Sequence, residues 1–198
     1  MNALKSTMLK CSIAKFRRAL SVVVLMALLP PSMGVSQSVD ELGEYDVKAA
    51  FLVNFVRFVE WPATSFASPQ SALTICIFGE DSFGEAANSL KSKIVSGHPL
   101  SVRRVNDVRE VAACHILFVG SADSKQLGII QNTAAAKSIL TVGESAAFQK
   151  AGGMIRFVLE DNKVRLEINL GETEAALLKV SAKLLSVAKI IHPQSGRN

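Results

Sequence analysis

Three short apolar runs constrain this chain more than any other feature: ALTICIFG (72–79), HILFVG (115–120) and SILTVG (138–143). Each is short for a helix, rich in branched apolar residues and closed by a glycine, and each is followed by a stretch of helical periodicity. Runs of this kind have no polar side to turn toward water, so they read as strands buried on both faces. HPLSVRRV (98–105) reads as a further strand. Helices are expected over 81–93, with Asp81 or Ser82 as cap, over 121–135, and over 144–153, which ends in glycines. Residues 154–171 read as two strands joined at EDNK. Residues 172–190 read as one amphipathic helix with Leu177, Val180, Leu184 and Val187 on its apolar side. Strands and helices in single file predict an α/β fold. Its mostly parallel sheet is sandwiched by helices in doubly wound fashion, with a C-terminal antiparallel hairpin and helix. In that order the first and third strands are neighbours, which would bring Cys76 near Cys114.

The charge balance matters only once the N-terminus is set apart. Of 22 basic residues, five (Lys5, Lys10, Lys15, Arg17 and Arg18) precede residue 35, where there is no acid, and the rest of the chain holds 17 bases against 17 acids. A neutral body argues against nucleic acid or another polyanion as partner. The basic start, the apolar ALSVVVLMALL (19–29) and the small-residue stretch after it predict a cleavable secretory signal over 1–36, leaving 37–198 as a single domain. Eleven apolar residues span about 16 Å as a helix, well short of a bilayer core of about 30 Å. Cys11 leaves with the signal, so Cys76 and Cys114 remain, in a compartment that permits disulfides. A bridge between them is the expectation; two buried free thiols are the alternative.

No catalytic, cofactor or metal constellation emerges from the residues. GEDSFG (79–84) lacks both the glycine spacing of a dinucleotide loop and the Gly-Lys-Ser/Thr of a P-loop. His98, His115 and His192 have no metal-ligand spacing, and Cys114 and His115, adjacent on an extended chain, point to opposite faces. Arg103 and Arg104 alternate likewise, and Glu160-Asp161 sits in a turn. The expectation is a protein that is not an enzyme.

YDVKAAFLVNFVRFVEWP (45–62) is an unusually apolar helix that stops at the chain's single tryptophan and a proline. On a helical wheel Val47, Phe51, Leu52, Phe55, Val56, Phe58 and Val59 fill about half the circumference, ample to cover a sheet face. The opposite arc holds Asp46, Asn54, Arg57 and Glu60, with Val53 and Trp61 among them. One reading is a core helix plugged by Trp61. The other places Val53, Arg57, Trp61 and Phe66, in the loop that follows, on a surface that binds a partner, since aromatics beside polar groups favour interfaces.

These segments, taken in order from VKAAFLVNFVRFVEWP through LTICIFGEDSFG, GHPLSVRRV, CHILFVG and ILTVGESAAFQKAGGMIRFVLEDNKVRLEINL to LLKVSAKLLSVAKII, resemble the YfiR-like family of small periplasmic proteins. The resemblance covers Tyr45 to about Ile191 and puts Cys76 and Cys114 where that family carries a cysteine pair; its other pair has no counterpart here. It implies a non-enzymatic repressor that binds the periplasmic domain of a membrane diguanylate cyclase (YfiN-like) and is sequestered by an OmpA-like outer-membrane lipoprotein (YfiB-like). Cyclic-di-GMP level and biofilm formation would follow from that balance. The implied partners leave room for a homodimer.

Two other classes compete. A small-molecule sensor would bind its ligand at the carboxyl ends of the parallel strands, where Gly79, Gly120, Gly143 and the Gly152-Gly153 turn cluster. A doubly wound hydrolase is the third reading.

Overall fold

The computed structural model describes residues 38–80, 83–91 and 93–192. The signal expected over 1–36 and the cap expected at Asp81 or Ser82 lie outside them.

The chain opens on helix α1 (Ser38–Phe58), passes through a two-residue strand β1 (Val59–Glu60) and enters the sheet at β2 (Leu73–Phe78). Then come α2 (Glu85–Asn88), β3 (Ile94–Val95), β4 (His98–Val105), β5 (Ile116–Val119), α3 (Ser124–Lys137), β6 (Leu140–Gly143) and α4 (Ala146–Lys150). The hairpin β7 (Ile155–Glu160) and β8 (Lys163–Asn169) leads to α5 (Leu170–Ala175), β9 (Lys179–Val180), α6 (Ala182–Leu185) and β10 (Lys189–Ile191). The main sheet has the order β10-β8-β7-β6-β5-β2-β4-β3. All its pairings are parallel except β7 with β8 and β3 with β4. This is the expected α/β architecture, with β2 and β5 side by side.

The predicted strands form because their apolar content leaves them no alternative to double burial: every residue of β5 and β6 is buried. α3 carries a capping box, in which Asp123 accepts from the Gln126 N–H and the Gln126 side chain accepts from the Asp123 N–H. The hairpin turns at Asp161 and Asn162, with φ of 50° and 56°, the two-residue turn whose twist suits paired strands. A second such turn, Ser96-Gly97 with φ of 51° and 86°, adds the edge strand β3 that the sequence reading did not include.

Two helix expectations fail. The helix expected over 81–93 shrinks to Glu85–Asn88, because Gly84 at its N-cap has φ of 46° and no side chain to cap with. The single amphipathic helix expected over 172–190 does not exist; the segment divides into α5, β9, α6 and β10. Its breaking point is Leu177, at φ 60°. There the Leu178 N–H binds the Thr173 carbonyl and the Leu177 N–H binds the Glu174 carbonyl, the paired bonds of a helix end that normally uses glycine. Ser181 then caps a new short helix by accepting from the Leu184 N–H. Between these events Val180 and Lys179 pair with Val59 and Glu60, which also ends α1 earlier than its periodicity suggested.

Ionic contacts fasten the sheet's C-terminal edge. Glu167 on β8 is buried and accepts from Arg156 at 2.7 Å, Lys189 at 3.0 Å and Gln149 at 2.8 Å, tying β7, β10 and α4 to one carboxylate. Burial pushes its pKa up, but the hydrogen bonds from Lys189, Arg156 and Gln149 outweigh this and hold it below the ordinary glutamate value.

Cys76 and Cys114 are joined by a disulfide with Cα atoms 5.8 Å apart. Closing a loop of 38 residues contributes about 4 kcal/mol if the effect is chiefly on the unfolded chain. Thiol labelling of the unfolded, unreduced protein should therefore find neither cysteine free, and Cys76→Ala should cost about 2–5 kcal/mol in a denaturant titration.

Leu177 yields a second expectation. An L-residue in the left-handed region carries a penalty of about 1–2 kcal/mol, and this side chain is 69% exposed, so little packing would be lost with it. Leu177→Gly should raise stability by about 1 kcal/mol after glycine's larger unfolded entropy is allowed for. A fall in the urea midpoint would show that the leucine side chain matters more than its backbone.

Candidate functional site

The sequence reading assigned Val53, Arg57, Trp61 and Phe66 to a contact surface, and the structure separates them. Val53 is 8% exposed and belongs to the core, so it offers nothing to a partner. It is buried because the core-facing arc of α1 is rotated from the one drawn on the wheel, away from Val47 and toward Ala49 and Val53. Val47, assigned to the apolar arc, is 46% exposed instead. Lys48 takes the buried place beside it at 3% exposure.

Lys48 is the main surprise of α1. Its ammonium pairs with Glu44 one turn back and with Glu144 at 2.8 Å, and lies 4.2 Å from the centre of the Tyr45 ring. Burial pulls its pKa down, yet the hydrogen bonds to Glu144 and Glu44 more than compensate and hold it above the ordinary lysine value. The i, i+4 spacing from Glu44 was visible in the sequence; Glu144, from the end of β6, was not. Tyr45 meets Phe83 edge-on at 5.2 Å, and Phe83 meets Phe118 at 4.7 Å. The turn of α1 that carries Tyr45 and Lys48 is thus fixed over the carboxyl end of the sheet.

That end is where the sensor reading placed a ligand, and the glycines there serve packing. A Cβ on Gly79 would stand 2.5 Å from the Ser121 carbonyl oxygen, and one on Gly120 would stand 2.5 Å from that of Glu80. The loops after β2 and β5 therefore lie directly against each other, joined by the Glu80 N–H to the Ser121 hydroxyl at 3.2 Å. A Cβ on Gly143 would lie 2.7 Å from the Phe148 ring, which also presses on Gly153.

Arg57, Trp61 and Phe66 follow one another along the chain from the last turn of α1 into the segment after β1. Arg57 is exposed in the last turn of the helix. Trp61 is half-buried against the core, beyond the end of β1. Its indole N–H is shut off from water and has no acceptor among the described residues. A buried donor without a partner costs about 1–3 kcal/mol, so Trp61 serves stability less well than an apolar ring of similar size would.

Phe66 is held by a contact that no sequence pattern revealed. Its ring stacks on His98 at 4.3 Å and on His115 at 4.8 Å, nearly parallel to both. His98 opens β4 and His115 precedes β5, and these strands flank β2 on either side. Two inter-strand spacings come to about 9.5 Å, room for one aromatic ring between two imidazoles. His98 Nδ1 donates to the Ser71 carbonyl at 2.8 Å. His115 accepts from the Thr74 N–H at Nδ1, 3.1 Å, and donates from Nε2 to the Ser65 carbonyl at 3.1 Å. Burial lowers the His115 pKa; the Ser65 contact raises it and nearby His98 lowers it further, for a net fall below the ordinary value. Among the described residues there is no cluster of three or more His, Cys, Asp or Glu side chains fit to hold a metal ion.

A family model described as YfiR/HmsC-like (DUF4154) matches residues 45–189. The chain belongs to the YfiR/HmsC-like family. No curated protein matches it. Among solved structures it is similar to the ABC domain in complex with L-Trp from Streptococcus pneumonia, at 11% identity and a TM-score of 0.46. That similarity covers 72% of this chain, which spans 60% of the length of the other.

Removing the orphaned indole N–H while keeping an aromatic ring should not harm the fold. Trp61→Phe should melt at or above the parent temperature, with a gain of up to about 1 kcal/mol. A drop of several degrees would mean that the indole's full width is needed in the core.

Proposed function

We propose that this chain is an exported regulator, without catalytic activity of its own, that binds the periplasmic domain of an inner-membrane diguanylate cyclase and holds it inactive. The observation that carries this reading is the family match across 45–189, which spans nearly all of the described fold. Residues 1–36 are then a cleaved secretory signal and 37–198 one periplasmic domain, and the Cys76–Cys114 disulfide suits an oxidising compartment. Among the described residues no helix is long and apolar enough to cross a membrane. An OmpA-like outer-membrane lipoprotein is the expected antagonist, a homodimer is compatible with this reading, and cyclic-di-GMP level and biofilm formation are the output.

The contact edge in this reading runs from Arg57 through Trp61 to Phe66. Arg57 supplies an exposed guanidinium on a rigid helix end, and Trp61 a large ring only half used by the core. Tryptophan and arginine are the side chains most often found to dominate interface energies. Val53 has no part in it.

The test pairs stability with affinity. Arg57→Glu sits on the surface and should leave the melting temperature nearly unchanged, within about 0.5 kcal/mol. Trp61→Ala should destabilise modestly, by less than the roughly 3–5 kcal/mol of a fully buried large side chain. Both should weaken binding to the cyclase periplasmic domain, by up to about 2–4 kcal/mol each if they are central to the interface. Unchanged affinity in both would move the interface elsewhere. A parent protein that fails to bind any periplasmic cyclase domain encoded beside it would remove the regulator reading itself.

A further inference from the structure

The loop between β1 and the main sheet, residues 62–71, is held by two imidazoles and a sandwiched phenyl ring. Of its ten residues, Ala63, Thr64, Ala67, Ser68, Pro69 and Gln70 are exposed. Its tethers to the sheet are the Ser65 carbonyl on His115, the Ser71 carbonyl on His98, and Phe66 between the two rings.

His115 is restricted to one protonation state by what surrounds it. The Thr74 N–H can only donate, so Nδ1 must be the ring's acceptor. The Ser65 carbonyl can only accept, so Nε2 must carry the proton. Only the neutral ring with its proton on Nε2 satisfies both. A second proton, on Nδ1, would set one N–H against another and leave no acceptor for the Thr74 amide.

We propose that loop 62–71 is an acid-operated latch, held closed by neutral His115 and opened when that ring takes a second proton. Protonation ends the Thr74 bond, and the ring must turn to point Nδ1 elsewhere. Turning breaks the Ser65 tether and withdraws one of the two faces on which Phe66 stacks. The loop is then left with His98 alone, and Trp61, four residues before Ser65, changes its surroundings.

The groups around His115 provide no counter-charge to prevent this. The loop itself, PATSFASPQS, has no ionisable side chain. β4 contributes His98. From β2 come Thr74 and Cys76, the latter in the disulfide with Cys114. β6, whose Leu140 N–H binds the His115 carbonyl, carries only LTVG. On the turn before Cys114, the Glu110 carboxylate is engaged by Arg103 at 3.6 Å.

The sign follows from the lowered pKa of the closed state. The closed latch holds its proton less tightly than the open one, so closure is favoured above the ordinary histidine range near 6.5 and is lost progressively as pH falls from there through the closed-state pKa. One proton taken up per opening makes the open population rise toward about tenfold per pH unit across that window.

The experiment measures hydrogen exchange of the Thr74 amide in the folded protein between pH 7.5 and 5, corrected for the intrinsic pH dependence of exchange. Far-UV circular dichroism over the same range establishes that the fold persists. Exchange should accelerate on acidification, and the emission of Trp61, the only tryptophan, should shift with it. In His115→Gln, which keeps one donor and one acceptor but does not titrate, the acceleration should vanish. In His98→Gln it should survive. Imidazole nitrogen shifts of unmodified protein follow the His115 proton directly, so the test does not hang on either variant folding. Their midpoint should coincide with that of Thr74 exchange. Flat Thr74 exchange, separate midpoints, or acceleration retained in His115→Gln would each overturn the latch. All these readouts are on the isolated protein, so they stand apart from the identity of its partner.

Discussion

Chain direction divides at the seam between β2 and β5. β2 passes the chain outward to β4 on one side, and β5 passes it outward to β6 on the other. Such a division normally leaves a crevice at the carboxyl ends of the two strands. Here the seam is closed at both ends. The Cys76–Cys114 disulfide and the His115 N–H to the Thr74 carbonyl, at 2.9 Å, bind it at the start. At the finish, Gly79 and Gly120 let the two exit loops touch backbone to backbone. A side chain at either glycine would force the loops apart, so the closure depends on what those positions lack.

Closing the seam fixes where the rest of the molecule can be open. α1 lies over the carboxyl end, pinned by Lys48 to Glu144 and by Tyr45 to Phe83. Farther along, its rings Phe51 and Phe55 pack on Phe157 of β7 at 5.9 and 6.2 Å. From Lys48 onward the helix is thereby committed to the core, and Val53 goes inward with it. What stays exposed at its far end is Arg57 and, beyond β1, much of the loop 62–71. Under the regulator reading, contact is made there because that is where rigid structure meets a loop held by few bonds.

Legibility followed burial. β5 and β6 could be read from composition because double burial demands unbroken apolar runs, and those runs survive any arrangement of neighbours. The segment 172–190 could not, because its apolar spacing fits a helix while its structure is set by a left-handed Leu177, a cap at Ser181 and the pairing of Val180 with Val59. The last of these links positions more than a hundred residues apart and leaves no local trace. The pairing of Lys48 with Glu144 and the His98–Phe66–His115 stack were hidden for the same reason: only tertiary packing brings their partners together. Arg57 and Trp61 were legible as a helix end, but the inward, unpaired indole N–H was not.

The buried titratable groups differ in how much they can give up. Lys48 has two carboxylates and Glu167 has two cations and an amide, so each is held in its charged form by charged partners. Removing one partner from such a cluster leaves a charge stranded in the interior, at a cost of several kcal/mol. Their pKa values move away from neutrality, Lys48 up and Glu167 down. Neither group is then free to trade a proton near pH 7, as a general acid or base must. His115 is the exception. It is kept neutral chiefly by burial, with the Thr74 N–H occupying Nδ1, while the Ser65 carbonyl pulls the other way and no opposing charge holds it. A proton arriving there meets no ion pair, only two hydrogen bonds that it can replace with water. Where Lys48 and Glu167 are fixed to hold helices and strands together, the proposed latch makes His115 the point, among the buried titratable groups of the described residues, at which a change of pH is converted into movement of the backbone.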